Sequence, residues 1–475
     1  MSQPKRAKDG EPDDPGEPIE RVEDLYAHIA GGEKARRHFR VGTEHEKFGF
    51  LRGDHRPLPY EGPVSIETIL NTIATDRAIW EKGRSWQAVQ ESGRTIALFC
   101  EDDSAITLEP GGQIELSGAP LASLHHTCDE INRHLALLRR ACLPRDVGFI
   151  GMGFHPTARY EDMPTVPKSR YRVMQRYMPT RGTRGLDMMK RTATVQANLD
   201  FENEADMVAS FRTALAVTPI VAALFANGAF KEGRPSGVLS ERLLTWTDTD
   251  PDRSGFPAIV FEPGFGYERW VEWVLDVPIY FVRRQFTHLD YAGIPFRRFL
   301  KEGLDGHRAT LRDFADHLTT IFTEVRVKQY LEVRTADSGP WSRICALPAL
   351  WKGLLYDTAA RDAAWRLMEQ PSVSELAALQ RAVIHQGFAA RYRGRSLLEL
   401  ARELLAISSG GLQRIACRNS RGEDERIFLG PLEQTVAEGR TFAERLLARY
   451  HGEWRGSIDP LWSDIEFFPE SDAIE

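Results

Sequence analysis

The sequence contains little cysteine and no excess of positive charge. Its 475 residues include five cysteines, and no two of them have the Cys-x-x-Cys spacing: Cys100, Cys128, Cys142, Cys345 and Cys417. This distribution argues against a disulfide-rich scaffold and against a zinc site. The formal net charge of -7 at pH 7 excludes the broad basic surface that drives sequence-independent binding to nucleic acid. We therefore expect a cytoplasmic protein that does not bind nucleic acid.

Long hydrophobic runs are also lacking. The longest apolar stretch, 214–225, contains Thr218 and Pro219 and is shorter than the roughly 20 residues that a membrane helix needs. Residues 1–18 are rich in charge, proline and glycine and contain no apolar segment of the kind found in secretion signals. We expect no membrane partner and a monomer or weak homodimer. The expected organisation is a disordered tail over 1–18, one large domain over 19–464 and a C-terminal tail over 465–475.

The spacing of apolar residues predicts the fold class. Segments with helical spacing alternate along the chain with segments in which every second residue is apolar. This pattern favours an α+β protein in which helices flank a largely antiparallel sheet. Four of the predicted strands carry unusual polar patterns: 39–50, 107–117, 192–201 and 325–334.

The first of these strands places two carboxylates on one face. Successive side chains of a strand point to opposite faces, so Glu44 and Glu46 lie on the same side, about 7 Å apart. Carboxylate oxygens at such a spacing can hold a divalent cation. The next two strands repeat the pattern with acids, amides and a hydroxyl, and Glu109 precedes a glycine bend: Gln113, Glu115 and Ser117, then Gln196, Asn198 and Asp200.

The last strand carries cations instead. Between Val325 and Arg334 the odd-numbered residues are mainly apolar, and the even-numbered residues place cations on both sides of one carboxylate. These even-numbered residues are Arg326, Lys328, Tyr330, Glu332 and Arg334.

Each polar face alone is typical of the exposed side of a half-buried sheet. Taken together, the four strands separate acids in the early strands from arginine and lysine in the last one. This separation is typical of phosphate transfer, in which carboxylates hold Mg²⁺, the metal bridges nucleotide phosphates, and cations neutralise the phosphoryl group. The sequence contains no P-loop of the form GxxxxGK[ST].

A series of longer motifs resembles one enzyme family. The segment from Gly42 to Gly49, GTEHEKFG, resembles the opening signature of the plant and proteobacterial glutamate-cysteine ligases. The resemblance runs from about Pro18 to about Asp464, and an ordered series of long motifs is more specific than any short pattern. The other motifs are Leu108–Pro120, Met152–Phe154, Leu186–Met189, Thr194–Phe201, Trp246–Asp250, Leu275–Tyr280, His317–Phe322, Tyr330–Arg334 and Cys345–Pro348.

The resemblance implies a fold, a reaction and a set of small-molecule partners. The fold is that of the catalytic domain of glutamine synthetase, in which the polar face of a curved antiparallel sheet forms the active-site funnel. The reaction is the first step of glutathione biosynthesis: ATP phosphorylates the γ-carboxylate of glutamate, and the amine of cysteine displaces phosphate from the acyl phosphate. The implied substrates are glutamate, cysteine and ATP, and the implied cofactor is Mg²⁺.

The resemblance also assigns roles to individual residues. The implied metal ligands are Glu44, Glu46, Glu115, Gln196 and Glu332. Arg334 faces the transferred phosphoryl group, with Glu332 and Lys328 as further catalytic residues and Arg326 beside Arg334 at the nucleotide. Arg170 and Arg242 bind substrate carboxylates, and Trp246 and Tyr280 line the amino-acid pocket. Without the resemblance, the last four residues would be interpreted as surface arginines and core aromatics.

One cysteine pair is implied in the same way. Cys128 lies on the apolar stripe of a predicted helix and Cys345 begins the apolar run 344–355, so both are expected to face the core. The resemblance pairs them in a disulfide. A second cysteine pair of the plant enzymes has no counterpart, because 291–309 contains no cysteine. Redox control through that second pair is therefore not expected.

Two other interpretations remain open from the sequence. The same fold could join glutamate to a different amine, because acceptor pockets are small and built from loops. The chain could also be a non-catalytic metal-binding or scaffolding protein, although the presence of both the Glu44/Glu46 pair and the Glu332/Arg334 pair argues against this. The sequence does not decide whether the product feeds glutathione or another thiol pathway.

Overall fold

A single nine-stranded sheet organises the molecule. The computed structural model describes residues 16–81, 83–284 and 287–468. In these residues the strands of the sheet are β1 Val41–Leu51, β2 Trp86–Glu91, β3 Arg94–Cys100, β4 Ala105–Leu108, β5 Ile114–Ser117, β6 Val147–Ile150, β7 Val195–Leu199, β8 Val325–Val327 and β9 Leu331–Val333. Among the described residues, four short ribbons lie outside the sheet and pair Phe230–Lys231 with Arg234–Pro235, Ser254–Gly255 with Phe322–Thr323, Phe281–Arg284 with Thr287–Asp290, and Arg391–Tyr392 with Arg395–Ser396.

The strand order is β8-β9-β7-β1-β5-β4-β3-β2, and β6 pairs with the C-terminal half of β1. Every pairing within this sheet is antiparallel. The expected α+β class with a largely antiparallel sheet is therefore confirmed. β1 has neighbours on both sides, so its side chains lie at the middle of the sheet.

Helices surround the sheet, and the apolar sides of β7, β8 and β9 pack against two of them, α6 and α11. The helices of the described residues are α1 Glu23–Ala30, α2 Ile66–Thr75, α3 Leu124–Cys142, α4 Ser169–Tyr177, α5 Gly185–Arg191, α6 Glu204–Phe225, α7 Glu241–Trp246, α8 Tyr267–Asp276, α9 Phe296–Glu302, α10 Leu311–Thr319, α11 Trp341–Leu355, α12 Thr358–Leu367, α13 Val373–Gln386, α14 Leu397–Ile415, α15 Gly430–Glu438, α16 Phe442–His451 and α17 Pro460–Ile465.

The helix α6 corrects one expectation from the sequence. Its apolar run was expected to be too short for a membrane span, but the helix has 22 residues and an 18-residue window of mean hydropathy 1.7. By length and composition it is the one helix of the described residues that could cross a membrane. In the structure 83% of that window is buried inside the protein, where it packs against the sheet.

The last predicted strand is in fact a hairpin. The run 325–334 forms β8 and β9, which pair so that Arg326 lies opposite Glu332. The backbone N–H of Lys328 donates to the carbonyl of Tyr330 at 2.9 Å, which closes a tight turn between the strands. The expectation of one continuous strand was therefore wrong, because alternation continues across a turn this short and leaves no break in the sequence pattern.

Both ends of the described chain are attached to the core. The backbone N–H of Ile19 donates to the carbonyl of Ala309 at 2.9 Å. At the other end, Phe467 donates to the carbonyl of Phe149 at 3.0 Å, and Phe468 is buried. The packed part of the chain thus extends through 468 rather than ending at 464. Most of the two expected tails, residues 1–15 and 469–475, lies outside the described residues.

The back face of β1 is polar as well as the front. Thr43, His45 and Lys47 alternate with the two glutamates and are buried beneath α3. The helix α3 begins where the Ser123 hydroxyl accepts a hydrogen bond from the backbone N–H of His126, which is a standard N-terminal cap. Its Glu130 carboxylate accepts from the backbone N–H of Ala119 at 2.9 Å. Burial is the main cause that raises the Glu130 pKa to about 7.

Glu130 should make stability depend on pH. Its pKa is about 7 in the folded protein and 4.5 ordinarily, so the native state holds an extra proton between these values and stability falls as the pH rises from about 4.5 to 7. We expect Glu130→Gln to remove this dependence. A shift of one pKa unit corresponds to about 1.4 kcal/mol. Relative to the wild type, the variant should therefore gain about 2–3 kcal/mol in free energy of unfolding between pH 5 and pH 8. Urea unfolding at the two pH values measures it, and a pH-independent difference would contradict the expectation.

The structure brings Cys128 of α3 and Cys345 of α11 together in a disulfide. Their Cα atoms are 5.8 Å apart although 217 residues separate them in the chain. This distance is within the usual range for disulfides, and both residues are buried as expected. Of the other three cysteines, Cys100 and Cys142 are buried and Cys417 is half-buried.

We expect the pair to form a bridge in the purified protein under oxidising conditions. Peptide mapping without reductant should recover a cross-linked peptide that contains Cys128 and Cys345, and Cys142 serves as the buried cysteine that should not cross-link. In the chain-entropy model a loop of this size stabilises the fold by up to about 5 kcal/mol. The oxidised protein should therefore melt at a higher temperature than Cys128→Ser, and equal melting temperatures would contradict a stabilising bridge.

Candidate active site

The polar front face of the sheet opens into a cavity of about 330 Å³. Acidic, basic and aromatic side chains line it, and the charges of Glu46 and Arg242 are close enough to interact. The acids are Glu44, Glu46, Glu109, Glu115 and Asp316, the bases are Arg170, Arg242, Arg326 and Arg334, and the main aromatics are Trp246, Phe281 and Phe322. A larger groove of about 970 Å³ lies elsewhere, near Pro57 and Trp462, and none of the predicted site residues line it. The 330 Å³ cavity is therefore the candidate site.

Strand register gathers the acids. On β1, Glu46 lies opposite Glu115 of β5, and Glu44 lies between Ser117 of β5 and Gln196 of β7. Directly opposed residues on one face of an antiparallel pair have side chains about 5 Å apart, so the predicted face is confirmed as one surface. The Glu44 carboxylate accepts a hydrogen bond from the Asn198 amide at 2.8 Å.

Burial and mutual repulsion change the acidity of this group. Burial is the largest cause that raises the Glu46 pKa well above its usual value, followed by the charges of Glu109 and Glu115. Burial, Glu44 and Glu109 in that order raise the Glu115 pKa to about 8. Perturbed carboxylates that face a cavity are typical of functional sites. Glu109, which was not among the predicted ligands, therefore belongs to the acidic cluster.

The acidic cluster has the chemistry of a site for a hard divalent cation. Its donors are carboxylate oxygens, and the repulsion between them would be relieved by a positive ion. In the described part of the chain no three or more acidic, histidine or cysteine side chains converge on a point where they could hold one ion. The glutamates line one cavity side by side, so binding would require them to turn toward the ion.

Glu332 does not fit the predicted role of a metal ligand. Its side chain is fully buried and is enclosed by Arg326 at 2.7 Å, Lys328 at 2.7 Å and Arg334 at 2.5 Å. Burial alone would raise its pKa, but these three cations hold the pKa well below its usual value. The carboxylate is thus already neutralised by the protein. With three cations around one anion, this group of four residues carries a net positive charge.

The cations around Glu332 differ in what else they contact. Arg334 lines the cavity and also donates to the Gln196 side chain at 2.6 Å. Arg326 lines the cavity too, but its guanidinium donates to the backbone carbonyls of Thr319 and Ile321 at 2.6 and 2.8 Å. Arg326 is therefore largely committed to holding a neighbouring segment. Lys328 is not among the cavity-lining residues.

Three of the four predicted substrate-binding residues lie at the cavity wall: Arg170, Arg242 and Trp246. The buried Arg242 guanidinium donates to the carbonyls of Thr335 and Arg334 at 3.0 and 2.7 Å. It therefore fixes the backbone that carries Arg334. The Arg170 guanidinium lies over the ring of Tyr171 at 5.0 Å.

Tyr280 was expected to line the amino-acid pocket, and this expectation was wrong. Its side chain is fully buried behind the wall, where its hydroxyl donates to Asp250 at 2.7 Å. The next residue, Phe281, reaches the cavity instead. Neighbouring residues at the start of a strand point in opposite directions, and only the packing decides which of them faces the ligand.

Residues 40–464 match the family described as "Glutamate-cysteine ligase family 2(GCS2)". This range covers most of the chain and includes all the side chains of the cavity. The chain belongs to this family. The resemblance noted in the motifs is thereby confirmed.

Relatives within the family are similar over almost the whole chain. The chain is 46% identical over 452 residues to "Glutamate--cysteine ligase, chloroplastic" of Brassica juncea. The aligned region covers 94% of this chain and 84% of the relative. It is 45% identical over 446 residues to the protein of the same name in Nicotiana tabacum, covering 93% and 82%. A solved glutamate-cysteine ligase of Francisella tularensis, in complex with AMP, has the same fold, with a TM-score of 0.51, 12% identity and coverage of 90% and 87%.

The family relatives correct the expected location. The low cysteine content was interpreted as a sign of a cytoplasmic protein, but the names of the relatives from Brassica juncea and Nicotiana tabacum place those proteins in the chloroplast. The expectation is therefore contradicted. A low cysteine content indicates only a compartment in which free thiols are stable, and more than one compartment meets this condition.

Proposed function

We propose that this protein is an ATP-dependent ligase that joins the γ-carboxyl group of glutamate to the amino group of cysteine. The observation that carries the proposal is one cavity lined by both clustered glutamates and four arginines, in a chain of the glutamate-cysteine ligase family. The glutamates suit a divalent cation that accompanies the nucleotide, and the arginines suit the transferred phosphoryl group and the carboxylates of the amino acids.

The reaction has two steps. An oxygen of the glutamate γ-carboxylate attacks the terminal phosphorus of ATP, and ADP leaves with the electron pair of the broken P–O bond. The cysteine nitrogen then attacks the carbonyl carbon of the acyl phosphate, the C–O bond breaks, and the amine proton goes to the departing phosphate. The products are γ-glutamylcysteine, ADP and phosphate.

The residues of the chain act mainly by placing charge. Arg334 lies on the cavity wall, where its guanidinium can stabilise the negative charge that spreads over the phosphoryl oxygens. Glu332 holds Arg334 in place through their ion pair, and Arg242 holds the backbone of the same residue. A guanidinium has five N–H donors, and Arg242 gives two hydrogen bonds to backbone carbonyls, so it can also bind a substrate carboxylate. Arg170 lines the same cavity and is proposed to contact the second amino acid.

The acidic cluster would hold Mg²⁺. Glu44, Glu46, Glu109 and Glu115 would supply the oxygen ligands, and Gln196 lies opposite Glu44 in the neighbouring strand. When bound, Mg²⁺ would offset the negative charge of the phosphate groups. Glu332 is omitted from this set because three cations of the protein already neutralise it.

A turnover assay with purified protein tests the proposed function. Glutamate, cysteine, ATP and Mg²⁺ should yield γ-glutamylcysteine, identified by mass spectrometry, together with one ADP for each dipeptide. Omission of any one component should abolish the product. A panel of other amines in place of cysteine checks the acceptor, and faster product formation with another amine would overturn the assignment of cysteine.

Arg242→Lys is expected to raise the KM for glutamate by at least about tenfold and to change the KM for ATP by less than about twofold. A planar guanidinium can bind a carboxylate through two parallel hydrogen bonds while it holds the carbonyls of Thr335 and Arg334, and an ammonium cannot do both. Steady-state kinetics with each substrate varied in turn measures this. Equal increases in both KM values would contradict a role at the glutamate carboxylate.

A further inference from the structure

We propose that Asp250, Arg253 and Tyr280 form a buried positioning unit that holds the aromatic wall of the cavity and so sets the affinity for the amino-acid substrates. The identity of these substrates rests on the proposed function. None of the three residues lines the cavity, so they act through the wall rather than by contact with a ligand.

The wall is built from three separate segments. Trp246 comes from the end of α7, Phe281 from the start of a short ribbon, and Thr319, Thr320 and Phe322 from the end of α10 and the connection that follows it. Trp246 contacts Phe322, with ring centroids 5.4 Å apart. No strand of the nine-stranded sheet runs through these segments in the described residues, so their relative positions depend on contacts behind the wall, which include the short ribbon that pairs Ser254–Gly255 with Phe322–Thr323.

Arg253 connects these segments from behind. Its side chain is fully buried, and its guanidinium donates to the Pro278 carbonyl at 2.5 Å and to the Thr320 hydroxyl at 3.2 Å. Its backbone carbonyl accepts from the N–H of Phe322 at 2.8 Å. One residue thus contacts both the segment before Phe281 and the segment that carries Phe322.

Asp250 and Tyr280 orient that guanidinium. Asp250 accepts from Arg253 Nε at 2.8 Å and from the Tyr280 hydroxyl at 2.7 Å. The guanidinium lies 3.7 Å above the centre of the Tyr280 ring, and the same ring lies 6.2 Å from that of Phe322. The hydrogen bonds given by Arg253 and Tyr280 are directed within the unit or to the wall segments.

The energetics favour a role in geometry over one in bulk stability. A fully buried ion pair loses most of its attraction to the cost of removing both charges from water, so it contributes little to stability compared with apolar packing. The ion pair instead fixes the relative orientation of the groups it joins, because a guanidinium accepts few arrangements of its hydrogen-bond acceptors. From the front, Arg326 holds the carbonyls of Thr319 and Ile321. The segment is therefore held between two arginines.

Two substitutions test the unit with graded severity. Tyr280→Phe removes the hydroxyl bond to Asp250 and keeps the ring under the guanidinium. Arg253→Lys keeps the charge and removes the fork that contacts Pro278 and Thr320. The matched control is Arg361→Lys, because Arg361 also pairs with a buried aspartate, Asp206, at 2.5 Å, but does not line the cavity.

We expect both test variants to raise the KM for glutamate or for cysteine by at least about tenfold and to change the KM for ATP by less than about twofold, because a misplaced wall weakens positioning of the amino acids. Arg361→Lys should leave all three KM values unchanged within about twofold. Equal changes in the three KM values of the test variants, or no change in any of them, would overturn the proposal.

Hydrogen exchange provides a readout that does not require activity. In Arg253→Lys the peptide that spans 317–325 should exchange faster than in the wild type, since the guanidinium bonds that hold Thr320 are lost, whereas Arg361→Lys should leave this peptide unchanged. If wild-type protein forms no γ-glutamylcysteine, the proposed function fails, and the exchange result alone decides the positioning unit. Unchanged exchange in 317–325 would overturn it.

Discussion

Glu46→Gln is expected to lower kcat by at least about 100-fold without lowering stability. Glu46 lies at the centre of the acidic cluster, opposite Glu115, and losing one anionic ligand disturbs the ion that offsets phosphoryl charge. The fold should not suffer, because burial and the charges of Glu109 and Glu115 already raise the Glu46 pKa well above its usual value. A neutral amide of the same shape removes part of that repulsion.

The matched control for this variant is Glu130→Gln. Glu130 is equally well buried and also has a raised pKa, but it lies on α3, behind the sheet, and does not line the cavity. We expect its kcat to stay within about twofold of the wild type. The measurements are kcat at saturating Mg²⁺ and the melting temperature of each protein without Mg²⁺. Near-normal turnover of Glu46→Gln would rule out its assignment as a metal ligand.

Glu332→Gln is expected to lose activity by a similar factor of about 100, but for a different reason. The amide cannot neutralise Arg326, Lys328 and Arg334, so three cations would be left without their shared anion in a buried site. Removing one partner of a buried ion pair typically costs about 3–5 kcal/mol of stability. This variant should therefore melt at a clearly lower temperature than the wild type, in contrast to Glu46→Gln.

A control variant for Glu332→Gln is needed to separate a loss of stability from a loss of catalytic activity. Glu425→Gln removes a carboxylate that is buried and pairs with Lys352 at 2.7 Å, away from the cavity. It should lower the melting temperature while kcat, measured where the protein is still folded, changes by less than about twofold. If Glu332→Gln keeps the stability of the wild type, the carboxylate is not the anchor of the three cations. If it melts lower but keeps its kcat, the placement of Arg334 by Glu332 does not matter to catalysis.

Local periodicity was enough to predict much of the sheet. The alternation in β1, β5 and β7 predicted which residues share a face within each strand, since side-chain direction depends only on position along the strand. The resemblance implied that these faces form one surface, and the register places Glu44 and Glu46 beside Glu115 and Gln196. The apolar positions of α3 and α11 likewise predicted that Cys128 and Cys345 are buried.

Other features had no local signal. The turn between β8 and β9 leaves the alternating pattern unbroken, so the hairpin that closes three cations around Glu332 could not be derived from it. Glu109 precedes β5 and follows β4, and its approach to Glu46 and Glu115 depends on how the intervening glycines bend. The inward position of Tyr280 depends on Asp250 and Arg253, which lie about 30 residues earlier in the chain.

The sequence by itself determined the fold class, the family and the polar character of one face of the sheet. These properties follow from residue spacing and from motifs in order, both of which are written along the chain. The tertiary structure decided which polar groups are neutralised by the protein and which remain available to a ligand. That choice is set by distances between segments far apart in sequence and by burial, which changes the strength of every charge interaction, and neither quantity is present in a linear pattern.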